Sequence, residues 1–120
     1  MTDSWHAEAQ TALDPATAAE IGYQAAAYLA SAVHDEVDEA HVGQVRILVS
    51  PDGSRIYAAA AVRGPLRMYL ATAWGPAGHV SHKEIASYPT LPEAEAARDA
   101  ALGHQMKQGF SSIGWVDGEP

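Results

Sequence analysis

The stretch "QVRILVSPDGSRIYAAAAV", residues 44–62, restricts the chain more than any other. Val45, Ile47 and Val49 recur at every second position, the period of a strand that turns one face inward. Pro51-Asp52-Gly53-Ser54 has turn composition, and the run from Arg55 returns as a second strand, so the two predict an antiparallel hairpin. Arg63-Gly64-Pro65 leads to "LRMYLATAW", where Leu66, Met68, Leu70 and Trp74 share one parity and Tyr69, Ala71 and Ala73 the other. A fourth run, "HVSHKEIASY", completes an antiparallel meander.

Helices flank these strands. Asp14 before Pro15 is a strong helix start, because the carboxylate caps free N–H groups and proline tolerates the first helical position. Ile21, Ala25, Leu29, Ala32, Val33 and Val37 then form an apolar stripe, which predicts a helix over about 15–39. Thr90 and Glu93 stand at capping-box spacing and open a second helix that runs to about Lys107, with Gly109 placed to take a left-handed cap. The expected fold is α+β in one domain, 1–120: an N-terminal helix, a four-stranded antiparallel meander sheet and a C-terminal helix packed on the sheet. Residues 1–40 form an acidic helical lead, 44–110 the sheet and helix, and 111–120 a tail whose Trp115 pads the sheet or meets another chain.

Charge divides the chain at the same boundary. Through Ala40 there are eight acids (Asp3, Glu8, Asp14, Glu20, Asp35, Glu36, Asp38 and Glu39) and no Lys or Arg, whereas seven acids balance seven bases from His41 onward. The net charge of -8 disfavours phosphate on charge alone and otherwise suits a solvated helix face. The absence of cysteine excludes disulfides, a thiolate nucleophile and sulfur-based zinc sites. No apolar run nears the roughly 20 residues of a membrane span, and "MTDSWHAEAQ" lacks the pattern of a secretory signal, so a cytoplasmic protein is expected.

The run from Ile56 to Phe110 resembles the WGR domain family. The resemblance is carried by "IYAAAAV" and "RMYLATAWG" as successive strands, the turn glycine Gly78, the strand ending at Tyr88, the helix opening "LPEAEAA" and the closing "KQGF". Where the family has arginine after Trp-Gly, this chain has Pro76, which offers neither charge nor N–H. The resemblance implies a twisted antiparallel sheet crossed by a helix, with the Trp-Gly corner at DNA. It therefore assigns Trp74 to a nucleic-acid surface.

Arg55, Arg63, Arg67, Lys83 and Lys107 are the candidate cations for that surface, provided the hairpin gathers Arg63 and Arg67 at the same edge as Arg55. By parity Trp74 also belongs with the core, so it is expected to anchor the strand end while its indole edge reaches a partner. His34, Asp38 and His41 stand at i, i+4 and i+7, a spacing that could hold a metal if the helix continued, yet Gly43 and the many acids suit a plain solvent face, and no metal site is assigned. His79 and His82 are read as turn and surface residues. No nucleophile elbow, phosphate loop, dinucleotide fingerprint or zinc-protease motif occurs, so no catalytic residue or cofactor is assigned.

Two functions follow. One is a non-catalytic binding module acting on DNA or within a DNA-associated complex. The other is an acidic inhibitor or adaptor, of the immunity or anti-defence kind, that docks Asp35, Glu36, Asp38 and Glu39 on the basic surface of a nucleic-acid-binding partner.

Overall fold

The computed structural model describes residues 14–118; the acids Asp3 and Glu8 of the lead and the last two tail residues lie outside them. The elements are α1 (Pro15–Glu36), β1 (Gln44–Val49), β2 (Arg55–Arg63), β3 (Met68–Pro76), β4 (His82–Tyr88), α2 (Leu91–Lys107) and β5 (Ser111–Asp117). The fold is α+β, with a five-stranded antiparallel sheet in the order β4-β3-β2-β1-β5.

The fifth strand corrects the expected four. Residues read as a tail pair antiparallel with β1, from Gln44 opposite Asp117 to Val49 opposite Ser111, with a bulge between Ile47 and Leu48. The cause is distance: α2 has 17 residues, about 25 Å of helix. It leaves β4 and must cross four strand spacings, about 19 Å, to reach the open edge of β1. The tail therefore arrives beside β1 and satisfies its free backbone groups.

Both sheet faces are covered. On one face α1 packs Ile21, Ala25, Ala26, Leu29, Ala30 and Val33 against Val45, Ile47, Ile56, Ala58, Ala60, Val62, Ala71 and Ala73. Alanine faces alanine across the strands there, Ala58 opposite Ala73 and Ala60 opposite Ala71, which lets the helix approach closely. On the other face α2 covers a smaller cluster of Leu48, Tyr57, Ala59 and Leu102, with Leu70, Trp74, Ala101 and Phe110 packed around it.

Both predicted starts form. The Asp14 carboxylate accepts from the Thr17 N–H at 2.8 Å, which lowers its pKa. The Thr90 hydroxyl accepts from the Glu93 N–H at 3.3 Å and donates to the Glu93 carboxylate at 3.0 Å, so the carboxylate binds the hydroxyl instead of a backbone donor. At the far end of α2, Gly109 adopts φ 102, and an added Cβ would meet Pro51 at 2.9 Å. The helix exit thus seats against the β1–β2 turn.

Two boundaries differ from expectation. Helix α1 stops at Glu36, and Val37 caps it in an extended conformation while burying its side chain in the α1-face core. The predicted extension to 39 is not made: the Val37 N–H still donates to the Val33 carbonyl at 2.8 Å, but its backbone turns extended and Glu39 follows at φ 58. With the extension goes the helical face shared by His34, Asp38 and His41, and among the described residues no group of three or more metal-ligating side chains forms. Strand β3 starts at Met68, so Leu66 sits in the preceding turn, 92% exposed, and does not share the parity expected of it. No helix among the described residues is long and apolar enough to cross a membrane.

Candidate binding cleft beside an aromatic row

Strand register assembles the site. Tyr57 lies opposite Trp74 on β3, and Trp74 lies opposite His82 on β4, so three aromatic side chains form one row across the α2 face. The Tyr57 and Trp74 ring centroids are 6.2 Å apart with planes at 25°, and those of Trp74 and His82 are 5.7 Å apart at 8°. The rings stack on one another along the row, from buried Tyr57 through half-buried Trp74 to exposed His82.

The neighbouring positions of the same strands complete the surface. One step away on that face are Ala59, Thr72 and Glu84, mutually opposed; one step the other way is Arg55, opposite Pro76. Gln105 and Phe110, at the end of α2, form the remaining wall. An open cleft of about 270 Å³ results, lined by Arg55, Tyr57, Trp74, Glu84, Gln105 and Phe110, with Ile56 and Thr72 at its base.

Local contacts hold this corner rigid. The Ser81 N–H donates to the Trp74 carbonyl at 3.2 Å, so the turn after β3 folds back tightly onto the strand. Gly75 makes that possible, because an added Cβ would lie 2.9 Å from the Ser81 nitrogen. The Trp-Gly pair therefore has a steric role within this fold. Phe110 is placed by its N–H, which donates to the Gln105 carbonyl at 3.1 Å. Burial pushes the Tyr57 phenol above its usual pKa against an opposing hydrogen bond with Thr72, so the hydroxyl stays protonated. The Arg55 guanidinium, the Glu84 carboxylate and the Gln105 amide make no hydrogen bond or ion pair among the described residues.

Three of the other expected cations, Arg63, Arg67 and Lys83, do not join this surface. Arg63 pairs with Met68 at the opposite end of β2, about 26 Å along the strand from Arg55. Arg67 sits beside it and donates to Ser87. The patch of Arg55, Arg63 and Arg67 is thus split between two ends of the sheet, because strand length separates residues that the sequence places near turns. Lys83 points to the α1 face and pairs with Glu36 at 3.0 Å, an interaction that raises the lysine pKa. Lys107 is exposed in the last turn of α2. Asp35 and Glu36 end α1, Asp38 and Glu39 follow in the turn, and all four are exposed. One candidate cation is therefore neutralised by one candidate docking acid.

A second open cleft, about 230 Å³, lies toward the other end of α2 and includes His41, Gln44, Arg63, Leu91, Glu95 and Arg98. Beside it, Trp115 on β5 is held by Arg46, 5.0 Å from its ring centroid, and Arg98, 5.3 Å away. The padding role expected of the tail tryptophan is partly met, since the ring remains 44% exposed.

Sequence reasoning singled out Trp74 and Arg55 but missed Tyr57, His82, Glu84, Gln105 and Phe110. Parity contained part of the signal: Arg55 and Tyr57 share one face of β2, and His82 and Glu84 share one face of β4. Which of those faces meets Trp74 depends on register, which no single strand reveals. None of the protein-family models, curated proteins or solved structures compared with this chain matches it.

Proposed function

We propose that the chain is a small non-catalytic WGR-like binding module that acts on DNA or within a DNA-associated complex, through the cleft beside Trp74. The observation that carries this reading is the stacked row of Tyr57, Trp74 and His82 ending in a cleft beside the unpaired Arg55. An aromatic wall and one free guanidinium suit a base together with its phosphate, and packing of bases on aromatic side chains is a recurrent means of holding unpaired nucleic acid. Pro76, where the WGR family has arginine, stands opposite Arg55, so the missing cation has a substitute one strand away.

Fluorescence anisotropy with labelled single-stranded, nicked and blunt-ended DNA tests the reading. Expected are binding at low salt that weakens as salt rises, and a several-fold loss in Arg55→Gln. Arg63→Gln, at the far end of the sheet, should change little. Absence of binding to all three DNAs at low salt overturns it.

A second reading is favoured by one observation: Asp35, Asp38 and Glu39 are exposed together where α1 ends, and the helix terminus adds negative potential there. In that reading the acidic end docks on a basic protein surface. Charge reversal at Asp35 and Asp38 then abolishes partner binding, whereas in the DNA reading it leaves DNA binding unchanged or tighter.

A further inference from the structure

We infer that the cleft beside Trp74 accepts a single unpaired guanine base, with Glu84 as the residue that selects it. This rests on the proposed DNA reading and goes beyond it by naming the ligand and the specificity determinant.

Size sets the first limit. At about 270 Å³ the cleft falls below the roughly 300–1,000 Å³ of pockets that hold drug-sized ligands. It suits one base and part of its sugar. Tyr57 and Trp74 line the cleft, and the stack with His82 holds the Trp74 ring in place, so a base in the cleft packs against a fixed aromatic wall. Phe110 closes the site from the helix side.

Position sets the second. Arg55 and Glu84 occupy opposite corners of the cleft, two strands and four residues apart with Trp74 on the diagonal between them. Strand geometry puts their Cα atoms about 16 Å apart. A nucleotide along that diagonal directs its phosphate to the guanidinium and its base edge to the carboxylate. Because Glu84 is anionic, the reverse orientation is unfavourable.

Hydrogen-bond chemistry sets the third. An ionised carboxylate only accepts. Guanine presents two adjacent donors on its Watson–Crick edge, N1–H and N2–H2, which two carboxylate oxygens can take together. Adenine and cytosine each place an acceptor beside their exocyclic amine, and thymine flanks its single N–H with two carbonyls. The Gln105 amide, also in the cleft, can donate to guanine O6 while Glu84 takes the N–H groups.

The same base chemistry comes either from a free guanine nucleotide or from an unpaired guanine in DNA, and two experimental arms separate the sources. In one, labelled thymine octamers carrying one central guanine, adenine or cytosine are titrated by anisotropy. In the other, GMP and AMP are titrated by calorimetry. The full-length protein is compared with Glu84→Gln and Glu84→Asp, substitutions at an exposed position whose folding is checked by circular dichroism. Expected is about tenfold tighter binding of the guanine octamer, in line with the discrimination of a good bidentate contact. Glu84→Gln should erase that preference while leaving binding of the other octamers unchanged or tighter, and Glu84→Asp should keep part of it. Octamers that bind equally well, with Glu84→Gln silent, overturn the inference and leave the DNA reading standing. GMP binding that depends on Glu84 without octamer binding supports the guanine site and removes the DNA reading. Binding of neither octamers nor GMP overturns both.

Discussion

Trp74 and His82 stand directly opposite each other on β3 and β4, with ring centroids 5.7 Å apart and planes within 8°. His82 is exposed and lies on an edge strand, so the stack fixes the indole from the solvent side while Tyr57 fixes it from within.

His82→Ala should therefore loosen Trp74 without unfolding the sheet. An aromatic pair of this kind contributes about 1 kcal/mol beyond burial. The expected outcome is a small stability loss with a marked shift of the Trp74 indole N–H resonance, assigned through Trp74→Phe. An unmoved resonance would show that the stack does not order the indole.

Gly75→Ala should cost more than its single methyl suggests. The new Cβ would lie 2.9 Å from the Ser81 nitrogen, a backbone atom that moves only if the turn opens. Destabilisation of about 1–3 kcal/mol is expected, with loss of exchange protection at the Ser81 amide. Near-neutral denaturant melts would mean that the turn relaxes freely.

The alanine rows under α1 predict intolerance to added volume. Ala58 is fully buried, opposite Ile47 and Ala73 on its two neighbours. Ala58→Leu should lower stability by about 1–3 kcal/mol through overpacking, and Leu29→Ala by about 3 kcal/mol through the cavity it leaves. Urea denaturation checks both.

Strand β5 predicts that the tail is structural. Ending the chain after Phe110 removes the pairing partner of β1 and takes Ile113 and Val116 from the α1-face core. The truncated chain should lose its cooperative thermal transition or melt far below the intact protein. A chain that melts like the parent would place the tail outside the folding unit.

The β1–β2 turn predicts an acid limb. Hydrogen bonds from the Ser54 hydroxyl and amide and the Ser50 hydroxyl hold the Asp52 carboxyl down at about 2, against its usual 3.8. The folded state then binds fewer protons than the unfolded one, so this stabilisation is complete above 3.8 and is lost as pH falls through about 2. Carboxyl resonances give the titration directly, and Asp52→Ala should remove that part of the pH dependence.

Much of the architecture was legible because it depends on local chemistry. Asp14-Pro15 and Thr90 with Glu93 mark helix starts through hydrogen bonds made within one turn, and the two-residue period of Val45, Ile47 and Val49 needs no distant partner. The candidate site was less legible. Trp74 and Arg55 could be singled out, but the rings of Tyr57 and His82 join Trp74 only through register, and Glu84, Gln105 and Phe110 come from three different elements.

The amino-acid sequence alone determined the two helices, the first hairpin, the alanine-rich core and the concentration of acid near the N-terminus, since each follows from spacing or composition over a few residues. Only the tertiary structure decided that residues 111–117 become a fifth strand, that Arg55 and Arg63 lie at opposite ends of the sheet, and that Lys83 meets Glu36 instead of a phosphate. Those outcomes depend on how far a 17-residue helix reaches and on which strand faces which, distances that exist only once the chain has closed on itself.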